Sequence, residues 1–331
     1  MKKLLVTFLS VCFIITAIAS CANPVDEKPV GSKPTSGSVR LGGLKGPTSM
    51  GMVKLLDDNE KGLTRNKYDF TMAVSTDELT PKLAKGDIDI VSVPANLASV
   101  LYNNLNGGVR VIGLNTLGVL YVVEKGGEEI KSAGDLKGKT IYATGKGSTP
   151  EYALSYLLSE NGIDIEKDVT VKWQNEPTAI VSQMKNDAHA VAMLPQPFVT
   201  SAASQLDDMR VALDLTEEWE KLGKSLITSV IIARKDFADG NAEAVKKFLD
   251  DYKASVDFVN GNTDESSILV EKYGIIKAGI AKKAIPQCHI TAIYGEEMKT
   301  AVSGYLSILF GQNAKAVGGK LPPDDFYLVY E

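Results

Sequence analysis

Short apolar runs rich in Val, Ile and Leu alternate with amphipathic stretches along most of this chain, and no other feature constrains its fold as much. Ser38 to Leu44 reads as a strand, the turn Lys45 to Gly51 follows, and Met52 to Leu56 starts a helix. Tyr68 to Ser75 alternates as a strand, Thr80 to Lys85 is helical, and Ile88 to Val93 is a buried strand. Pro94-Ala95-Asn96 then opens a helix to about Asn104, before a strand from Val109 to Asn115. Repeated strand–helix units with short loops imply an α/β fold with mostly parallel sheets flanked by helices.

The same grammar restarts after Leu117 to Glu124, with a strand at Lys139 to Ala143, a Gly-rich loop and a helix from Pro150 to Asn161. Val169 to Trp173, Pro177 to Asn186, Ala190 to Leu194, Pro197 to Ser204 and Met209 to Leu213 continue it. Beyond the strand Ile227 to Ala233 the chain is largely helical: Ala242 to Val259, Ser266 to Tyr273 and Glu296 to Phe310. Those helices need a sheet to cover, so the expected architecture has two lobes and two interlobe crossovers, near Tyr121–Gly126 and Leu226–Ala233. Lobe 1 is expected over residues 38–122 plus 229–331, and lobe 2 over residues 123–228. The cleft between such lobes is where a small ligand binds, because loops at the carboxyl ends of parallel strands face it.

Residues 1–20 read as an export signal, with Lys2 and Lys3 ahead of an apolar stretch from Leu4 to Ile18 that is short for a membrane span. Ile18-Ala19-Ser20-Cys21 resembles the bacterial lipobox, and the resemblance implies that Cys21 is the lipidated N-terminus; a plain secretory signal cut near Ala19 is the other reading. Residues 21–37 hold three prolines and almost no large apolar side chain, so they read as a lipid anchor and flexible tether. The expected location is therefore extracytoplasmic, at the outer face of a bacterial cell membrane. Of Cys12, Cys21 and Cys288, only Cys288 would remain as a free thiol.

With 36 basic and 41 acidic residues, and no block of either basic type, the chain offers nothing for a nucleic-acid backbone. Gly145-Lys146-Gly147-Ser148-Thr149 superficially resembles a phosphate loop, yet Lys146 is not followed by Ser or Thr and the spacing fails. The common metal, hydrolase and dinucleotide motifs are missing too, so no cofactor and no metal are expected. His289 beside Cys288 invites a thiol-catalysis or metal idea, but adjacent side chains rarely point the same way.

Four segments carry a family resemblance. Asp135 to Thr144 with the loop Gly145 to Thr149, Gly86-Asp87-Ile88-Asp89 leading to Pro94, Ala190 to Phe198, and Gly318 to Pro322 with Phe326-Tyr327 occur in the order seen in one group of proteins. They resemble bacterial ABC-transporter solute-binding proteins of the nitrate/sulfonate/taurine and NMT1/THI5-like group, over about Val39 to Tyr327. The resemblance implies a type II periplasmic-binding fold that closes on a small solute and presents it to an ABC permease in the membrane. A solute-binding protein of this kind is expected to be a monomer and not an enzyme. Gln196 stands where the group often has Glu, so whatever that acid binds elsewhere does not carry over.

The candidate ligand contacts are the strand-to-helix turns. Thr48, Ser49 and Met50 sit at the first helix start, where hydroxyls and free N–H groups can receive a polar group, although Thr48 or Ser49 can equally be a cap. Pro94, Ala95 and Asn96 occupy the same place after a later strand, and Asn96 can both donate and accept. Gly145, Ser148 and Thr149 form the matching loop of lobe 2, and Gln196 ends another of its strands. The expected ligand is a pyrimidine or thiamine precursor, or a small organic anion such as a sulfonate. An enzyme on the same fold, of the pyrimidine-synthesis or menaquinone-precursor type, is the alternative; the export signal and the scarcity of acid–base groups in these loops weigh against it.

Overall fold

The computed structural model describes residues 37–127 and 129–330. The signal, Cys21 and all of the tether except Gly37 lie outside the described residues. Strand β1 (Ser38–Leu44) leads through a one-turn helix, α1 (Pro47–Met50), into α2 (Val53–Glu60). Then come β2 (Lys67–Ala73), α3 (Thr76–Lys85), β3 (Ile90–Pro94), α4 (Ala95–Asn104) and β4 (Val109–Leu117). Only Gly118 and Val119 separate β4 from β5 (Leu120–Lys125). Next are β6 (Thr140–Thr144), α5 (Thr149–Glu160), β7 (Thr170–Gln174), α6 (Pro177–Asn186), β8 (Val191–Pro195), α7 (Phe198–Ala203), β9 (Met209–Asp214) and α8 (Leu215–Lys221). The chain ends through β10 (Ile227–Arg234), α9 (Lys235–Gly240), α10 (Ala242–Gly261), α11 (Thr263–Lys272), α12 (Ala278–Ala284), β11 (Ile290–Ile293) and α13 (Gly295–Gln312).

The strands form two sheets, a six-stranded one in the order β11-β4-β10-β3-β1-β2 and a five-stranded one in the order β7-β6-β8-β5-β9. Within each, four strands share one direction, in line with the sequence reading. The pairing itself is mixed, because β10 runs antiparallel to both β3 and β4, and β5 antiparallel to both β8 and β9. Each of these two strands arrives from the other sheet, β5 directly after β4 and β10 after α8, and each runs against the direction of its neighbours. The chain passes between sheets at Gly118–Val119 and between the end of α8 and Ile227; the lobe boundaries expected at 122/123 and 228/229 fall inside β5 and β10.

Alternation along the strands explains why both faces are covered. In β5, Leu120 and Val122 face one hydrophobic cluster and Tyr121 and Val123 another; in β3, Val91 and Val93 face away from Ile90. The first of these clusters runs through both sheets, joining Val91, Val111 and Ile232 to Val122, Ile141 and Met193, with Trp219 and Tyr305 buried in it. Helix α3 starts four residues before its expected position, because Ser75 and Glu78 form a reciprocal cap, and it stops at Gly86, whose φ of 81° suits glycine. Asp89, 1% exposed, is gripped by Arg40, whose Nε lies 2.9 Å away, and by Arg234 at 3.3 Å. The acid of the Gly86-to-Asp89 motif is thereby a buried brace between β1, β3 and β10.

Candidate functional site

A cavity of about 440 Å³ opens where the carboxyl ends of strands from both sheets meet. That volume lies within the range of small-molecule pockets. Its floor is the two inter-sheet passages and the strands they lead into, Val119 with Leu120 of β5 and Leu226 with Thr228 of β10. One wall comes from Pro94, Asn96 and Leu97 at the β3–α4 junction, with Thr76 at the start of α3; the other comes from Ser148, Thr149 and Pro150 at the start of α5, with Pro195 at the end of β8. Both strand-end prolines pair with passage strands, Pro94 with Ser229 of β10 and Pro195 with Leu120 of β5.

Of the residues proposed from sequence, the cavity lining contains Pro94, Asn96, Ser148 and Thr149. Asn96 is held from both sides: its Nδ2 donates to Ala316 O at 3.3 Å and its Oδ1 accepts from Thr149 Oγ1 at 3.5 Å, a contact spanning the cleft. The Ser148 hydroxyl donates to Gly145 O at 2.7 Å. The α4 start carries no acid in its first turn, whereas the turns before α3 and α5 are occupied by side chains of their own. Glu78 accepts from Val74 N and Ser75 N, and Glu151 accepts from Gly147 N.

The other candidates stand elsewhere. Thr48, Ser49 and Met50 are buried outside the lining, and both hydroxyls turn back to Leu44 O, at 3.0 and 2.6 Å. Beneath them Asn115 Nδ2 donates to Thr48 O at 3.0 Å while its Oδ1 accepts from Ser229 Oγ at 2.8 Å, so this turn is tied into the sheet. Ala95 is fully buried. Gly145 shapes its loop: at φ 84° a Cβ would sit 2.7 Å from Pro150 Cγ. Gln196 is 2% exposed; its Oε1 accepts from Thr200 Oγ1 at 2.9 Å and its Nε2 donates to Gln287 Oε1, which ties β8 to the segment before β11. Lys45 and Lys146 are exposed and outside the lining.

Sequence reasoning missed Thr76 and Leu97, the passage residues Val119, Leu120, Leu226 and Thr228, and the prolines Pro150 and Pro195. The passages carried a usable signal, since residues that cross between lobes lie at the cleft floor. His289, at φ 44°, places Nδ1 2.6 Å from Gly118 O and therefore donates to the first passage; its ring stacks on Tyr121 at 6.3 Å. Burial pushes the Cys288 thiol up to about 12, so it does not form a thiolate at neutral pH, and His289 is engaged elsewhere. Burial likewise raises Tyr121 well above the ordinary phenol range, with Asp214 adding to the effect. Among the described residues, no group of three or more His, Cys, Asp or Glu could hold a metal ion, and no helix is long and apolar enough to cross a membrane.

Comparison with known proteins agrees with this geometry. The model of the family described as NMT1/THI5 like matches residues 109–266. A curated protein of Brucella abortus (strain 2308), whose description names a binding protein and no ligand, is 24% identical over 237 residues, 67% of this chain and 69% of its own. Among solved structures, an ABC transporter from Parabacteroides distasonis superposes with a TM-score of 0.76 at 24% identity, covering 89% of this chain and 100% of that one. The periplasmic aliphatic sulphonate binding protein SsuA from Escherichia coli gives 0.69 at 17% identity, covering 87% and 93%. The ligand binding component of an ABC-type import system from Staphylococcus aureus gives 0.64 at 15%, covering 88% and 97%. The chain resembles the NMT1/THI5-like group and has the type II periplasmic-binding-protein fold expected from its sequence.

Proposed function

We propose that this chain is the solute-binding component of an ABC importer, capturing one small molecule in the cavity between its two sheets and delivering it to a membrane permease. The observation that carries this reading is the cavity floor: both inter-sheet passages line it, so a ligand seated there touches the segments about which two lobes would close. In this reading lobe 1 is built on the six-stranded sheet and lobe 2 on the five-stranded one. The protein acts as a monomer outside the cytoplasm, held by lipid on Cys21 and the tether after it. The names of the structural neighbours, a sulphonate-binding protein and an import-system component, support the assignment. The lining contains hydroxyls, one amide and apolar side chains but no titratable group, which supports a binder over an enzyme. A pyrimidine or thiamine precursor and a small organic anion such as a sulfonate are the solutes to test first.

The test is thermal unfolding against pyrimidines, thiamine, sulfonates, nitrate, bicarbonate and amino acids. A ligand at a hundred times its Kd adds about 2.7 kcal/mol, a shift of several degrees. One clear shift supports the importer reading and names the solute class. Silence across the panel from a folded sample, shown by mass spectrometry to carry no co-purified ligand, overturns the ligand classes named here.

A further inference from the structure

Three polar side chains of the cavity have committed part of their hydrogen-bonding capacity. Asn96 can face Ala316 O only with its nitrogen, since a carbonyl accepts and never donates; this fixes the amide and leaves Oδ1 toward Thr149 and the cavity. Thr149 gives its hydroxyl proton to that Oδ1, and Ser148 gives its own to Gly145 O. What Asn96, Ser148 and Thr149 retain is acceptor capacity on three oxygens and one further N–H on Asn96 Nδ2. The hydroxyls of Thr76 and Thr228 rotate to suit either role.

Charge points the same way. No lining residue is Lys, Arg, His, Asp or Glu, so neither an anion nor a cation finds a counter-charge, and a buried charge without one is costly. Glu78 and Glu151, in the first turns of α3 and α5, already answer backbone N–H groups at those helix ends. Neither α4 nor α5 has a side-chain cap, so first-turn N–H groups at both helix starts remain for an acceptor atom of a ligand. The remaining lining is apolar, with Leu97, Val119, Leu120 and Leu226.

The geometry points to an uncharged solute with an apolar body, whose polar end presents hydrogen-bond donors as well as acceptors: an amide, lactam or amino-heterocycle, in preference to a carboxylate or sulfonate. This rests on the importer reading and selects among its solutes. The oxygens of Asn96, Ser148 and Thr149 reward N–H or O–H groups on a ligand, which an anion, bringing only acceptors, leaves unanswered.

The test measures the affinity of the full chain, by calorimetry at pH 7, for matched pairs with one body and two polar ends: benzamide and benzoate, benzenesulfonamide and benzenesulfonate, and the same pairs on methyl and naphthyl bodies. The uncharged member is expected to bind at least about tenfold more tightly. Asn96→Leu should narrow that ratio by about three- to tenfold, the range of one hydrogen bond. Thr149→Val, at a solvent-accessible helix start, gives a second reading of the same acceptor set. Leu226→Trp, which fills the cavity, should abolish binding of both members. Preference for the anions, lost in Leu226→Trp, overturns this inference and leaves the importer reading standing. Silence of both series in a folded sample overturns the reading it rests on, and this inference with it.

Discussion

Gly118→Ala places one methyl group at the point where the chain leaves the first sheet for the second. An ideal Cβ there would lie 2.3 Å from Thr216 Oγ1, 2.8 Å from Leu226 Cδ2 and 3.0 Å from Leu226 Cγ. All three are below contact distance, and neither neighbour has room to retreat: Thr216 is 3% exposed and Leu226 1% exposed. Overpacking of this kind costs about 1–3 kcal/mol, which for a chain of this length lowers the unfolding midpoint by about 2–6 °C. Leu226 also lines the cavity, so its displacement should weaken solute binding beyond the loss of stability. Gly304→Ala is the matched control. Gly304 lies in α13 with nothing within 4 Å of its would-be Cβ, so the same chemical change there should raise stability by about 0.4–1 kcal/mol through the unfolded chain. Thermal unfolding followed by circular dichroism reads both signs in one experiment. A Gly118→Ala protein as stable as wild type would refute the claim that the passage is packed to its limit around a bare backbone.

Trp219, fully buried between Tyr156 and Tyr305 at 4.6 and 5.8 Å with its Nε1 donating to Ala153 O, should cost about 3–5 kcal/mol when replaced by Ala, read from denaturant midpoints. The Asp57 carboxyl is held below the usual carboxylate range, first by its hydrogen bond from Lys61 and then by that from Lys272. A depressed pKa contributes stability above the unfolded value near 4, and that contribution fades as pH falls through the folded one. Asp57→Asn should therefore cost about 1 kcal/mol at pH 7, given how exposed both lysines are, with the difference closing as pH falls below the unfolded value and through the lower folded one in urea titrations. Cys288, with its thiol pushed up to about 12 by burial, should resist a thiol reagent at pH 8 until the protein is unfolded, as peptide mass spectrometry would show.

The alternation of strand and helix was legible because the central strands, such as β3, β4, β5 and β8, bury both faces and each early helix follows within a few residues. Helices α8, α9 and α12 and strand β11 were not. They are four to seven residues long, too short for periodicity to distinguish them from loop, and tertiary contacts such as those of Trp219 hold them. The site divides in the same way. Thr48 and Ser49 share their sequence grammar with Ser148 and Thr149, a strand running through a Gly-containing turn into a helix start. The two turns differ in what lies beneath them, since Asn115, 67 residues from Thr48, anchors the first into the sheet. Gln196 looked like a ligand contact because its partner Gln287 lies 91 residues away and only the folded chain brings them together. Val119, Leu120 and Leu226 read as ordinary core side chains, and line the cavity only because the chain changes sheets beside them.

The central claim, that the cavity between the sheets holds one small solute, is tested most directly by counting bound molecules in native mass spectra of the wild type and of Leu226→Trp. The account predicts one molecule per chain for the solute that raises the unfolding temperature, and none when the tryptophan fills the cavity. Undiminished binding to the filled variant would contradict it, because the solute would then sit elsewhere on the protein.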